Sequence, residues 1–400
     1  MGRAFGWLWA AYGVSALGTA LALHAFPLIA ILVLHAGPAQ VSALAAAGLA
    51  VGAVVAVPLG PWVEFRRKRP VMMAMDLVRC ALLLSVPVAY AFDRLSFAQL
   101  LVVSVLVAAA DITFTAASGA CLKALVPPED LLTANGRFEA TMWTTTMIGP
   151  PLGGAAIGLL GPVVTVVADA VSYLLSAVGI RAMGGKKEVR PIRPETGNRL
   201  RSRDLLDGWR FILTDPVLRP LFLNAVIVNG LIMVAAPLLS VLMLGGLHFA
   251  PWQYSLAFAV PCVGGLIGAR LSRRLVARFG RHEVLVTAGT LRVCWPLGLA
   301  FVGPGVPGLL LVMAVELGLI TCIGVFNPVL ATYRLEHTPP DRVARTLSAW
   351  SISAKLTIAA LTALWGLLAT LTTTRTAIAV AGVLLLATPL LLGRRALPSV

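Results

Sequence analysis

LGPWVEFRRKRPVMMAMDLVR, residues 59–79, carries a run of fixed positive charge between two stretches that are almost purely apolar. Residues 41–63 hold no charge, and Arg66, Arg67, Lys68 and Arg69 follow closely. From Val71 the chain is apolar again while carrying Asp76 and Arg79. A run of about 20 apolar residues spans a hydrocarbon core about 30 Å thick at about 1.5 Å rise per residue. The basic run is therefore a short hinge between two membrane helices, and Lys and Arg concentrated in such a hinge mark the cytoplasmic side.

The rest of the chain agrees. Of its 400 residues 58% are hydrophobic and 12% charged, with a mean hydropathy of +0.89, whereas a soluble chain carries roughly twice that charge fraction. Little sequence remains outside the bilayer for a catalytic module, and there is no G-x-x-x-x-G-K-[ST] phosphate loop, H-E-x-x-H or G-x-S-x-G. No catalytic residue, metal site or cofactor is expected, and ATP is not expected as the direct energy source. The net charge of +15 reports topology and not nucleic-acid binding. Cys80, Cys121, Cys262, Cys294 and Cys322 are scattered with no C-x-x-C, as small buried hydrophobes are. The N-terminus runs into a long apolar span with no A-x-A-like site, so the first helix is expected to be retained.

Twelve spans can be drawn, near 7–34, 40–62, 71–92, 97–121, 138–160, 162–182, 217–244, 252–271, 283–302, 307–332, 344–370 and 375–393. An even number puts both termini on one side. With that count, 27 of the 32 basic residues fall on the side of the 66–69 run, and only Arg94 and Arg375 on the other. A missed or invented helix would scramble so strong a bias, so the expectation is a multi-pass protein with cytoplasmic termini.

Between spans six and seven lies GGKKEVRPIRPETGNRLRSRDLLDGWRFILTDPVLRP. Its first half, with Pro191 and Pro194 among charges, cannot build a core. Its second half spaces Leu205, Leu206, Trp209, Ile212 and Leu213 helically against Arg203, Asp207 and Arg210, which predicts an amphipathic helix at the membrane surface. The domain reading is a six-helix bundle over 1–184, a linker over 185–216 and a second bundle over 217–400. The halves repeat: Arg79 falls on Arg292, Phe114 on Phe326, and Pro127-Pro128-Glu129 on Pro339-Pro340-Asp341, all at an offset of 212 or 213. Parallel six-helix repeats are a transporter architecture, in which two bundles rock about a site near the bilayer midplane.

Over nearly its whole length the chain resembles the major facilitator superfamily, and within it the drug and siderophore exporter branch that includes enterobactin-exporter-like and macrolide-efflux-like proteins. The hinge is similar to the family's loop signature G-x-x-x-D-R-x-x-R-R, with Gly60 as the glycine, Glu64 in the acidic position and Lys68 and Arg69 as the closing pair; it departs in having Glu for Asp and Phe65 for Arg. Gly149-Pro150-Pro151-Leu152-Gly153-Gly154 in span five is similar to the G-P-x-x-G-G signature associated with antiport. The resemblance implies an all-α fold of twelve transmembrane helices in two pseudo-symmetric bundles, and a chain that works as a monomer.

Candidate residues follow. Glu64 ends a helix beside Arg66, Lys68 and Arg69, where a carboxylate can latch onto a neighbouring helix in one arrangement and release it in another; Gly60, Asp76 and Arg79 join this latch. Gly149, Pro150, Gly153 and Gly154 form a tightly packed segment that the resemblance implies seals against ion leak. Ionisable groups at membrane depth are costly and by default functional. Asp76 and Arg79 share one helical face, and the depth count also allows Arg79 to reach Asp111. Lys355 needs a carboxylate or carbonyl partner. Spans one, four, seven and ten line the cavity in the family, which makes His24, Asp111, Asn224, Asn229, Glu316 and Asn327 its polar candidates. The reading is a secondary transporter in a bacterial cytoplasmic membrane, its partners protons, the lipid bilayer and a small-molecule substrate. It exports drug-like or siderophore-like cargo by proton-coupled alternating access; the alternative is a nutrient importer or facilitator of the same fold.

Overall fold

The computed structural model describes residues 2–23, 25–35, 38–184 and 206–392. His24 and most of the linker, including Arg203 and Leu205, lie outside the described residues. The spans are helical: α1 (Arg3–Leu21, followed by Ala25–Leu32), α2 (Pro38–Ala56, followed by Leu59–Glu64), α3 (Lys68–Ala91), α4 (Phe97–Leu125), α5 (Leu131–Leu160), α6 (Pro162–Ala182), α7 (Leu218–Ser240), α8 (Cys262–Phe279), α9 (Arg281–Cys294), α10 (Gly305–His337), α11 (Val343–Leu371) and α12 (Thr374–Ala387). Ten helical stretches among the described residues are long and apolar enough to cross a membrane. Pro38–Ala56 and Leu131–Leu160 take the second and fifth positions, the latter with its hydropathy diluted by Thr144–Thr146 and its Gly-Pro run. The fold is the all-α, twelve-span architecture expected from the charge asymmetry.

The chain forms two compact units. The first comprises residues 1–131, 148–211 and 335–355, the second 132–147, 212–334 and 356–400. Each has its own apolar core. In the first, Ile29, Leu83, Val86, Leu100, Val166 and Tyr173 pack together, and in the second Leu231, Leu239, Val293, Val312, Ile378 and Leu385 do. Both also present large apolar side chains outward, such as Leu175 and Val178 in the first and Ile267 and Leu310 in the second. Hydrocarbon is their natural solvent.

The repeat is written into the contacts of each unit. Arg79 lies 4.5 Å from the centroid of the Phe114 ring in the first unit, and Arg292 lies 3.7 Å from that of Phe326 in the second. A guanidinium desolvated among helices gains from an aromatic face. The repeat also relates Gly60 to Ser272 and Gly136 to Ser348, each at an offset of 212. A Cβ on Gly60 would come 2.9 Å from Ser348 Cβ in one unit. In the other, a Cβ on Gly136 would come 3.2 Å from the Ala269 carbonyl, with Ser272 Oγ at 3.9 Å. The same glycine-on-serine approach is thus made twice, with the halves exchanging which residue is the glycine.

The linker's second half forms the helix Asp207–Thr214. It does not simply lie on lipid: the Trp209 indole donates to Ser353 Oγ on α11 at 2.8 Å, and Ile212 is fully buried. Protein covers Ile212 and part of Trp209, while Leu206 and Leu213 of the same stripe stay exposed.

Candidate functional site

The hinge is built by its own charges. The Lys68 ammonium donates to the carbonyls of Val63, Glu64 and Arg66 at 3.0, 2.7 and 3.0 Å. It thereby caps the short helix Leu59–Glu64, whose last carbonyls have no intrahelical donor. Arg69 Nη1 donates to Gly184 O at 2.7 Å, tying the hinge to the end of α6, while Arg66 lies over the Trp62 ring at 5.5 Å. Glu64 turns inward, 7% exposed, with its Oε2 2.5 Å from Nε of Arg345 on α11. Arg345 also holds Asp207 at 2.9 Å and stacks over Phe65. These contacts join the hinge, the linker helix and α11. Glu64 lies outside the membrane spans, and burial pushes its carboxyl up to about 7 against the opposing pull of Arg345 and Lys68.

Asp76 and Arg79 belong to a second cluster in the same unit. Arg79 pairs with Asp76 one turn before it on α3 and reaches Asp111 Oδ1 on α4 with its other terminal nitrogen at 3.4 Å. Ser176 on α6 donates to Asp76 Oδ2 at 2.7 Å, and the Tyr173 ring covers the guanidinium at 4.1 Å. Asp76 and Arg79 are sealed, at 0% and 3% exposure. Asp111 differs: it sits midway along α4, yet its side chain is 46% accessible. Its second oxygen accepts from Lys355, midway along α11, at 3.1 Å. One carboxylate, itself 46% accessible, thus stands between a buried arginine and a lysine whose side chain is 25% accessible. Next to this cluster, Asp169 accepts from Thr19 Oγ1 at 3.2 Å, and the Thr19 hydroxyl also bonds that of Tyr173 at 2.8 Å.

The glycines of the G-P-x-x-G-G segment separate by role. A Cβ on Gly149 would lie 2.3 Å from Ala20 Cβ, and one on Gly153 2.1 Å from Leu21 O, so α5 is pressed on the backbone of α1 at these two positions. Gly154 has open space around it. The helix runs unbroken through Pro150 and Pro151.

In the second unit Asn327 on α10 donates to Glu139 Oε1 at 2.9 Å, as does the Trp143 indole one turn along α5. Nearby, Asn135 donates to Thr332 at 2.9 Å. Asn224 is fully buried, accepting from Arg292 at 2.6 Å and donating to Thr388 O at 3.0 Å, which makes it an anchor for that arginine. Asn229 is exposed midway along α7. Glu316 on α10 is 8% exposed and, among the described residues, takes no hydrogen bond or ion pair; Tyr254 and Cys262 are its polar neighbours.

Sequence reasoning did not single out Glu139, Arg345 and Asp207, which the structure brings into these contacts. Glu139 had a usable signal, an acid on span five one turn before a tryptophan. Arg345 and Asp207 had none, because their partners are far away in the chain.

The sequence profile of the Major Facilitator Superfamily matches residues 8–323 and, separately, 233–399. The chain is 26% identical over 337 residues to the multidrug efflux pump Tap of Mycobacterium tuberculosis, covering 81% of this chain and 78% of that one. It is 27% identical over 339 residues to the Tap protein of Mycolicibacterium fortuitum, covering 80% and 79%. Among solved structures, a bacterial homologue of the iron transporter ferroportin in an outward-facing state superposes with a TM-score of 0.82 at 16% identity, over 98% of both chains. The human organic anion transporter MFSD10 superposes at 0.78 and 16% identity, over 98% of this chain and 99% of that one.

Proposed function

The chain belongs to the Major Facilitator Superfamily and is a drug-exporter-like membrane transporter; from that premise we propose that it exports drug-like small molecules in exchange for protons, with Asp111 as the coupling acid. The observation that carries this reading is the position of Asp111, on α4 from the first half of the sequence, in contact with Lys355 on α11 from the second. The carboxylate is 46% accessible, and Arg79, at 3% exposure, holds its other oxygen. A proton delivered to Asp111 neutralises it and frees Lys355, while Arg79 keeps Asp76. The tie between α4 and α11 then exists in one protonation state and is lost in the other, which is what proton-driven alternating access requires.

The relatives named as multidrug efflux pumps support drug-like cargo and outward transport; siderophore-like acids are the second cargo class. Glu316, buried and without a hydrogen-bond or ion-pair partner among the described residues, is the counter-ion for a cationic cargo, whereas Lys355, once released, suits an anionic one. The energy source is the proton gradient. The 27-to-2 charge asymmetry supports cytoplasmic termini in a bacterial cytoplasmic membrane, and the working unit is a monomer.

The test is efflux of fluorescent cationic dyes from cells carrying wild type, Asp111→Asn or Glu316→Gln, with and without an uncoupler. Uncoupler-sensitive efflux that Asp111→Asn abolishes is the expected result. Transport that persists without a gradient in every variant would overturn proton exchange and leave a facilitator.

A further inference from the structure

The second unit also has a groove that none of Asp111, Lys355 and Glu316 lines. It has a volume of about 330 Å³ and lies among α8, α9 and α10, walled by Leu275, Phe279, Thr287, Leu291, Cys322 and Val325, with Glu283 at one end. From Glu283 to Leu291 it follows α9 for about 12 Å, close to the depth of one leaflet of a 30 Å core. Phe279 and Leu291 are 53% and 49% exposed, so the groove opens outward.

Two of the helices that wall it are strongly basic. Arg270, Arg273, Arg274 and Arg278 are exposed along α8, and Arg281 opens α9 after a single linking glycine, Gly280. The Arg278 guanidinium stacks at 5.2 Å on Phe279, itself a wall of the groove, which fixes one cation at the rim. Among the described lining residues Glu283 is the one acid, set against these five arginines. Basic run and apolar slot are joined here through one stacked pair.

We propose that this groove seats an anionic phospholipid of the cytoplasmic leaflet, its acyl chain along α9 and its phosphate on the α8 arginines. Charge complementarity selects the lipid class: a headgroup with net negative charge gains from the arginines, while Glu283 opposes it slightly. Each basic residue near a membrane surface adds attraction for an anionic headgroup, so removing three weakens binding by tenfold or more.

The experiment uses the full chain, delipidated in detergent and titrated with phosphatidylglycerol or phosphatidylcholine, with binding read as retained lipid by native mass spectrometry and as the shift in Tm. Phosphatidylglycerol should bind and raise Tm where phosphatidylcholine does not. Arg273→Gln/Arg274→Gln/Arg278→Gln should lose tenfold or more in affinity, Thr287→Trp should lose binding by plugging the groove with every arginine in place, and Glu283→Gln should tighten it. Equal binding of the two lipids would overturn the proposal. So would a Thr287→Trp protein, folded as judged by its lipid-free Tm, that binds phosphatidylglycerol like wild type, since the arginines would then attract headgroups with no seated chain.

Discussion

Consider the Asp111–Lys355 contact removed one side at a time. Two unit charges 3.1 Å apart attract by about 5 kcal/mol at an effective dielectric of about 20. That gross figure shrinks, because Asp111 is 46% and Lys355 25% accessible, and both regain water when they part. A net coupling of about 1–2 kcal/mol remains, enough to shift a two-state population about 5- to 30-fold. The two single changes should not be equivalent. Lys355→Met leaves Asp111 on Arg79, whereas Asp111→Asn leaves Lys355 without its carboxylate and Arg79 with Asp76 alone. The larger shift away from the described arrangement is therefore expected for Asp111→Asn. Exchanging the charges, Asp111→Lys with Lys355→Asp, should fail to rescue, since the new lysine would stand against Arg79. Populations can be read by single-molecule distance measurement between labels on Arg94→Cys and Thr372→Cys in a Cys294→Ser background, Cys294 being the exposed free cysteine among the described residues. A double-mutant cycle of Asp111→Asn and Lys355→Met should show the coupling energy. Strict additivity, or a charge exchange that restores the wild-type distribution, would refute the reasoning.

The other predictions rest on separate contacts. Burial raises the Glu64 carboxyl to about 7 where it meets Arg345, above its ordinary value of 4.5 when released; such a group stabilises the contact fully below about 4.5 and loses that contribution as pH rises through 7. Across pH 6–8 the same distance measurement should therefore drift away from the contact in wild type and stay flat in Glu64→Gln; a variant that titrates like wild type would sink this. Gly153→Ala should destabilise by about 1–3 kcal/mol through its collision with Leu21 O, while Gly154→Ala, into open space, should leave Tm unchanged; equal effects would show that packing on α1 is not what the segment does. Glu316→Gln should weaken binding of a cationic dye in purified protein at least several-fold and leave a neutral analogue alone, and loss of both would assign Glu316 to structure.

What could be read from the sequence was whatever depends on spacing along one helix or on the repeat. The basic hinge, the twelve spans and the match of Arg79 and Phe114 to Arg292 and Phe326 needed only periodicity and offset, and the structure returns the last as two stacked pairs. Arg79 to Asp111 was within reach because depth in a membrane can be counted in residues. What stayed hidden depends on which helices touch. Glu64 and Arg345 lie 281 positions apart with no local pattern to link them, so Arg345 looked like one more topological charge. Asn224 looked like a cavity residue. Yet the repeat sets Gly289 where the first half has Asp76, which deprives Arg292 of an acid on its own helix, and Asn224 supplies the missing acceptor. Glu139 was passed over beside a loop, although Asn327, a candidate in its own right, donates to it.

The most direct test of the account is proton flux driven by cargo in proteoliposomes holding a pH-sensitive dye, comparing wild type with Asp111→Asn. Addition of a transported cationic drug should move protons in wild type and not in the variant, while the variant still binds the drug. Drug-driven proton movement that survives Asp111→Asn would contradict the claim that this carboxylate couples the two fluxes.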